Sequence, residues 1–336
     1  MFDGVRKKLL YFSRGRGRGH AVIDIQIGQE LTQLRSDVQI LYVSYGTGAL
    51  TFQERGIPVI DLGLPDMNSI AASTVLAGRV IGRLQPDLVV ANEEFPALPA
   101  AKIFGNRTVM ITDFFGEPGK FSMESLWFAD HVLFLDRKGD REPPPVAGKV
   151  RYLGPQLRQF AYKRKDRQRA RQELGITSTT VIGVFPGSWT EAMAPLVDRL
   201  LPALDTAKLD DVRVVWLAGQ DAAKIRQRTK KRGYITVIDA DWQIDRLMVA
   251  CDLAITKTNR ITVQELASLG IRTLSVDYGL NSIGCERIAH LRANRTIAID
   301  NLNVAVIEAS LHQREPVPWR TQRQSCASAL SEILGA

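Results

Sequence analysis

The chain has 336 residues, 45% of them hydrophobic and 24% charged, with a formal net charge of +8. That length suits two ordinary domains, and that balance supports a large core, which excludes a disordered chain. No apolar run approaches the ~20 residues that span a bilayer. The start, MFDGVRKKLLYF, holds too short an apolar run for a secretory signal. The three cysteines, Cys251, Cys285 and Cys326, lack the count and spacing of a disulfide framework or a structural zinc site. A cytosolic protein is expected.

The first predicted strand runs from Lys8 to Phe12. It leads into the stretch YFSRGRGRGHA, and then into a helix in which Ile23, Ile27, Leu31 and Leu34 fall on one face. The Arg-Gly pairs at Ser13 to Gly19 are therefore a strand-to-helix turn, not an RNA-binding tail. The carboxyl end of a first strand is where doubly wound sheets bind ligands. Glycines there let backbone approach a ligand or adopt positive φ. The turn lacks the GK[ST] ending of a Walker A loop. The second strand, VQILYV, runs on into Ser44 and Tyr45, where a dinucleotide fold would place an acid.

The runs DLVVA, TVMIT and HVLFL continue the first half. REPPPVAGKVRYLGP then breaks the pattern. After it come VIGVF, VRVVWL, YITVI, DLAIT, RTLSV and TIAID, and a terminal helix within WRTQRQSCASALSEILGA. Most runs are continuously apolar, as strands buried on both faces should be. Strand-helix alternation implies parallel sheets with helices on both sides. Eleven such runs are too many for one sheet, so two doubly wound Rossmann-like domains are expected: 1–155, 156–318, and a C-terminal helix, 319–336, crossing back to the first domain.

Charge is concentrated locally. Arg158 to Arg171 holds seven basic residues and one acid, and Lys224 to Arg232 holds six basic residues and no acid. Such runs suit an anionic partner, or they are the solvated faces of helices.

The stretch ACDLAITKTNRITVQELASLGIRTLSVDYG reads as strand, polar turn, helix and strand. The turn at Thr258, Asn259 and Arg260 opens the helix, whose free N–H groups suit phosphate. Glu265 lies about one turn in, where it can reach the hydroxyls of a diol. Phosphate followed by a diol suggests a nucleoside diphosphate.

The glycine turn ending in Gly19-His20-Ala21, together with the late helix carrying Thr262, Glu265, Leu266 and Gly270, resembles the GT-B glycosyltransferases of family 28. MITDFF, YLGPQLRQF and VIGVFPGSW resemble further pieces in the family order, and the resemblance spans about residues 8 to 300. Arg16 and Arg18 stand where the family carries small residues. Its histidine after the Thr-Asp motif is missing from FFGEPGK, and its glutamine pair is replaced by Asn281 and Glu286. The resemblance implies a GT-B fold, two Rossmann-like domains facing a cleft, with a UDP-sugar in the second domain and the acceptor in the first. Inverting transfer without metal is implied.

The site expected from these arguments has His20 as general base, because its proton affinity suits removal of a hydroxyl proton. Asp113 is the candidate orienting carboxylate and Glu94, in ANEEFP, a rival base. Gly15, Gly17 and Gly19 line the acceptor side. Arg16 and Arg18 suit a carboxylate or phosphate on the acceptor, unless they face solvent or pair with nearby acids such as Asp24. Gly187 and Ser188 suit the donor diphosphate, as do Thr258, Asn259, Arg260, Ile261 and Thr262. The resemblance places the base pocket at Asp239, Ala240 and Asp241, with Trp242 stacking on the ring or filling core. Asp239 and Asp241 also imitate an Asp-x-Asp metal motif, but no metal and no cofactor beyond the UDP-sugar substrate are expected. Expected partners are that donor and a hydroxyl acceptor, lipid-linked or anionic. FAYKRKDRQRAR could hold the protein on the inner face of a membrane. The alternatives are a nucleotide-sugar 2-epimerase of the same fold, or a non-catalytic nucleotide- or nucleic-acid-binding protein.

Overall fold

A computed structural model describes residues 6–138, 142–186, 193–207, 211–239, 243–279, 282–320 and 324–335. Its contacts divide the chain into two compact units, Met1–Arg158 with Thr321–Ala336, and Gln159–Arg320. The sequence reading had put the divisions at 155 and 318.

Unit 1 alternates strand and helix. It runs β1 (Lys7–Ser13), α1 (Arg18–Leu34), β2 (Val38–Ser44), α2 (Gly46–Glu54), β3 (Val59–Asp61), α3 (Ile70–Leu84), β4 (Leu88–Asn92) and α4 (Ala97–Ile103). It continues through β5 (Arg107–Thr112), α5 (Phe121–Ser125), β6 (His131–Phe134) and β7 (Val150–Tyr152). The sheet order is β3-β2-β1-β4-β5-β6-β7, and every pairing is parallel. Alternate strand residues feed opposite faces. Leu9 and Tyr11 join Ile23, Ile27 and Leu31 of α1, whereas Leu10 and Phe12 join Ala77 and Ile81 of α3 and Leu98 of α4. Leu34, expected on the buried face, is instead exposed at the helix end.

Unit 2 repeats the plan. After α6 (Arg167–Glu173) come β8 (Thr180–Phe185), α7 (Met193–Thr206), β9 (Val212–Leu217), α8 (Ala222–Thr229), β10 (Ile235–Ile238) and α9 (Ile244–Ala250). Then follow β11 (Leu253–Lys257), α10 (Arg260–Ser268), β12 (Arg272–Asp277), α11 (Ser282–Ile288), β13 (Asn294–Ala298) and α12 (Val304–Leu311). The order is β10-β9-β8-β11-β12-β13, again all parallel.

The last helix, α13 (Cys326–Gly335), belongs to unit 1. Cys326, Ala327, Leu330, Ile333 and Leu334 share the core cluster of Leu9 and Ile23. Three cations cap its final carbonyls: Lys7 Nζ donates to Leu334 O at 2.6 Å, Arg107 Nη2 to Ile333 O at 2.8 Å and Arg35 Nη1 to Ser331 O at 3.2 Å. Cations at a helix C-terminus satisfy carbonyls that have no partner within the helix.

Candidate functional site

Strand order reverses between β1 and β4 in unit 1, and between β8 and β11 in unit 2. The loops leaving two such strands diverge and open a crevice at their carboxyl ends. In unit 1 these loops begin at Arg14 and Glu93, and they are joined by Arg14 N donating to Asn92 O at 3.2 Å.

The glycine turn is shorter than expected. Gly17 sits at φ 80 as the N-cap, and α1 begins at Arg18. Arg18, Gly19 and His20 are thus the first helical turn rather than part of the loop. The glycines also differ in purpose. A Cβ on Gly15 would lie 2.2 Å from the Tyr45 ring, so Gly15 makes room for that ring. Gly48 N, on α2, donates to Gly15 O at 2.7 Å and clamps the turn from the other side. At Gly19, by contrast, nothing lies within 4 Å of where a Cβ would stand.

Glu93 holds a left-handed backbone, φ 50, which costs a non-glycine residue on the order of 1–3 kcal/mol and tends to mark functional positions. Its carboxylate accepts from Arg14 Nη1 at 2.5 Å and lies 3.5 Å from His20 Nε2. The carboxylate brought to His20 is therefore Glu93, which the sequence reading did not single out. Asp113 lies just past the end of β5, the strand beside β4. Glu94 is buried and accepts from Tyr45 Oη at 3.0 Å. Burial pushes its carboxyl up to about 7, against the opposing pull of Tyr45 and Arg14.

Behind this surface lies Asp24, one helical turn after His20 and fully buried. Its Oδ1 accepts from Tyr11 Oη at 2.8 Å and from Asn92 Nδ2 at 2.5 Å. Burial raises the carboxyl to about 6, opposed by hydrogen bonding from Ser13, Asn92 and Tyr11 and by the charge of His20. Arg18 forms a bidentate pair with Glu54, its Nη2 donating to Glu54 Oε1 at 3.1 Å. The acid that engages it is thus Glu54, not Asp24, and half of the basic character expected for the acceptor side is locally neutralised. Arg16 is half-buried beside it.

In unit 2, Asn259 is the N-cap of α10, extended and without a side-chain cap, so the first N–H groups of the helix lack that partner. Thr258 and Arg260 are buried, and Glu265 is 1% exposed. Ile261 and Thr262 are half-buried. The Cys285 side chain of α11 lies beside both Asp277 and Thr258, which brings α11 to the same loop. Glu286 is exposed. Asp239 pairs with Arg226, the cation that competes for the carboxylate proposed as half of a metal motif. Gly187, Ser188, Ala240, Asp241, Trp242 and Asn281 lie outside the described residues.

The two basic runs are largely consumed by the fold. Arg171 Nη2 donates to Asp252 Oδ2 at 2.7 Å, Arg167 Nη1 donates to Asp252 Oδ1 at 3.2 Å, and Arg164 pairs with Glu315. Arg226, Arg228 and Arg232 pair with Asp239, Asp198 and Asp205. Tyr162, expected beside a membrane patch, is buried and bonded to Glu173. Among the described residues no helix is long and apolar enough to cross a membrane.

Sequence reasoning located both loops but missed Arg14, Tyr45, Asn92 and Glu93 as site residues. The available signal was two adjacent acids one residue after the apolar run Leu88–Ala91, a poor place for charge unless the fold compensates it.

The fold is GT-B: two Rossmann-like α/β units on one chain. No protein-family model matches it. The UDP-N-acetylglucosamine–N-acetylmuramyl-(pentapeptide) pyrophosphoryl-undecaprenol N-acetylglucosamine transferase of Desulforudis audaxviator (strain MP104C) is 26% identical over 295 residues, 77% of this chain and 76% of that protein. Among solved structures, MurG of Acinetobacter baumannii superposes with a TM-score of 0.66 at 18% identity, covering 98% of each chain. The UDP-GlcNAc 2-epimerase of Methanocaldococcus jannaschii, in complex with UDP-GlcNAc and UDP, superposes with a TM-score of 0.69 at 11% identity, covering 98% of this chain and 99% of that one.

Proposed function

We propose that this protein is a glycosyltransferase that moves a hexose or N-acetylhexosamine from a UDP-sugar to a hydroxyl acceptor, with inversion and without a metal ion. The observation that carries the reading is the His20–Glu93 pair at the strand-order reversal of unit 1. A base is what distinguishes transfer to a hydroxyl from mere nucleotide binding. His20 takes the acceptor proton as the acceptor oxygen attacks the anomeric carbon. The bond from that carbon to the diphosphate breaks, and UDP leaves with the electron pair. Glu93, within 3.5 Å, stabilises the imidazolium so formed.

The donor is assigned to unit 2. The open N-terminus of α10, with Thr258 and Arg260, receives the diphosphate charge that grows as UDP leaves. Glu265 takes the ribose hydroxyls. The 26%-identical relative, named as a UDP-N-acetylglucosamine-using transferase, supports this donor class. The pairing of Asp239 with Arg226 supports a reaction in which that acid holds no metal. The acceptor is a lipid-linked or anionic hydroxyl compound. Contact with a membrane through the first basic run would fall to the exposed Lys163 and Lys165, since its arginines are mostly paired.

His20→Ala should lower the transfer rate by about 10²–10⁴, the usual contribution of a general base, while UDP affinity measured by calorimetry stays unchanged. Normal turnover in this variant would remove the base assignment. A second reading is favoured by the two adjacent acids Glu93 and Glu94 and by the epimerase neighbours: epimerisation at C2 of the donor sugar. The two readings separate in one tube. Transfer releases UDP, whereas epimerisation converts UDP-GlcNAc to its C2 epimer and releases none.

A further inference from the structure

Asp24 is a buried acid that the mechanism above leaves unused. It sits one helical turn after His20, so the two side chains share a face of α1, with Cβ atoms roughly 5–6 Å apart. It faces Tyr11 from β1, Tyr42 from β2, Asn92 from β4 and Cys326 from α13; none of these brings a positive charge. The cation that can answer the carboxylate is His20 itself, whose charge acts on Asp24.

The hydrogen bonding makes this choice informative. Oδ1 accepts both bonds, from Tyr11 and from Asn92. Oδ2 and the Ser13 hydroxyl are both buried and adjoin, and Ser13 is foremost among the groups that favour the charged carboxylate. An asparagine at position 24 would keep Oδ1 as the double acceptor and turn an N–H toward Ser13. It would bury no charge, at the cost of one amide N–H left without an acceptor. The aspartate instead offers Ser13 an acceptor and adds a negative charge one helical turn from His20.

Resting on the reading of His20 as the base, we propose that Asp24 is a positioning residue: it ties α1 to the end of β4 through Asn92, so that His20 meets Glu93, and its charge holds the proton that His20 removes from the acceptor. Glu93 supports the imidazolium from the front and Asp24 from behind. Arg14, paired with Glu93, limits how much of the front charge reaches His20, which leaves a share of the work to the buried acid.

The spectroscopic test does not require the acceptor. The chain has four histidines, so the His20 ring can be followed by NMR and assigned with His20→Gln. Asp24→Asn is expected to move the His20 ring signals and their dependence on pH, because a unit charge one helical turn away is removed. Wild type itself should show a second inflection in the His20 signal as Asp24 titrates beneath it. That readout needs no variant and so survives a folding failure. Donor turnover in Asp24→Asn should fall about tenfold or more, with UDP affinity unchanged. A His20 signal with one inflection, unmoved by Asp24→Asn, would overturn the proposal and leave Asp24 a structural tie. Absence of UDP binding by wild type would instead overturn the glycosyltransferase reading, and leaves the His20–Asp24 coupling to be judged by NMR alone.

Discussion

Replacing Asp24 with asparagine should make the protein more stable while making it less active. Raising a buried carboxyl from its usual range near 4 to about 6 costs the folded state about 3 kcal/mol once the group is ionised, at ~1.4 kcal/mol per unit. The sign follows from the direction. Because the folded form holds its proton more tightly than the unfolded form, the cost is present in full above pH ~6 and vanishes as pH falls through the usual range near 4. Asp24→Asn should therefore exceed wild type by up to about 3 kcal/mol at pH 7.5, and the gap should close by about pH 4. Chemical denaturation at pH 7.5, 6, 5 and 4, with the two proteins side by side, measures it. A variant less stable than wild type by the same amount at every pH would refute the reasoning, because the carboxylate would then be supporting the fold by shape rather than straining it by charge. A gain in stability coupled to a loss of activity is what a retained functional charge produces.

Three further outcomes are expected. Glu265→Ala should weaken UDP binding by roughly 1.5–3 kcal/mol, the range for hydrogen bonds to a charged group; calorimetry on the folded variant that finds equal affinity removes Glu265 from the donor site. Cys285 is half-buried beside Thr258, whereas Cys251 and Cys326 are buried, so a maleimide should label Cys285 first and UDP should slow that labelling; labelling indifferent to UDP places the nucleotide elsewhere. Turnover should persist in EDTA, since the proposed donor site meets the diphosphate with a helix N-terminus and Arg260 instead of a metal ion; loss of activity restored by Mn²⁺ or Mg²⁺ would return Asp239 to consideration as a ligand.

Long continuous apolar runs determined most of the fold, because a strand buried on both faces must be apolar throughout and such runs are visible without any partner. Strands β3 and β7 escaped notice at three residues each, too short for a pattern; β3 is held through Tyr42, Val43 and Ser44 of β2, and β7 through β6. The late helix, its uncapped start and Glu265 were readable because they lie within one short segment. The position of the glycine turn was readable for the same reason. What that turn does was not. Gly15 yields to the ring of Tyr45 and Arg18 goes to Glu54, and each of those partners is some thirty residues or more along the chain. Glu93 reaches His20, and Asn92 reaches Asp24 across 68 positions, only because β1 and β4 are neighbours in the sheet. The sequence by itself determined which loops follow the strands at which the order reverses, since strand and helix periods are local. Tertiary structure alone decided which acid faces the histidine and which is buried behind it, since burial and charge pairing depend on strand order, which no local pattern records.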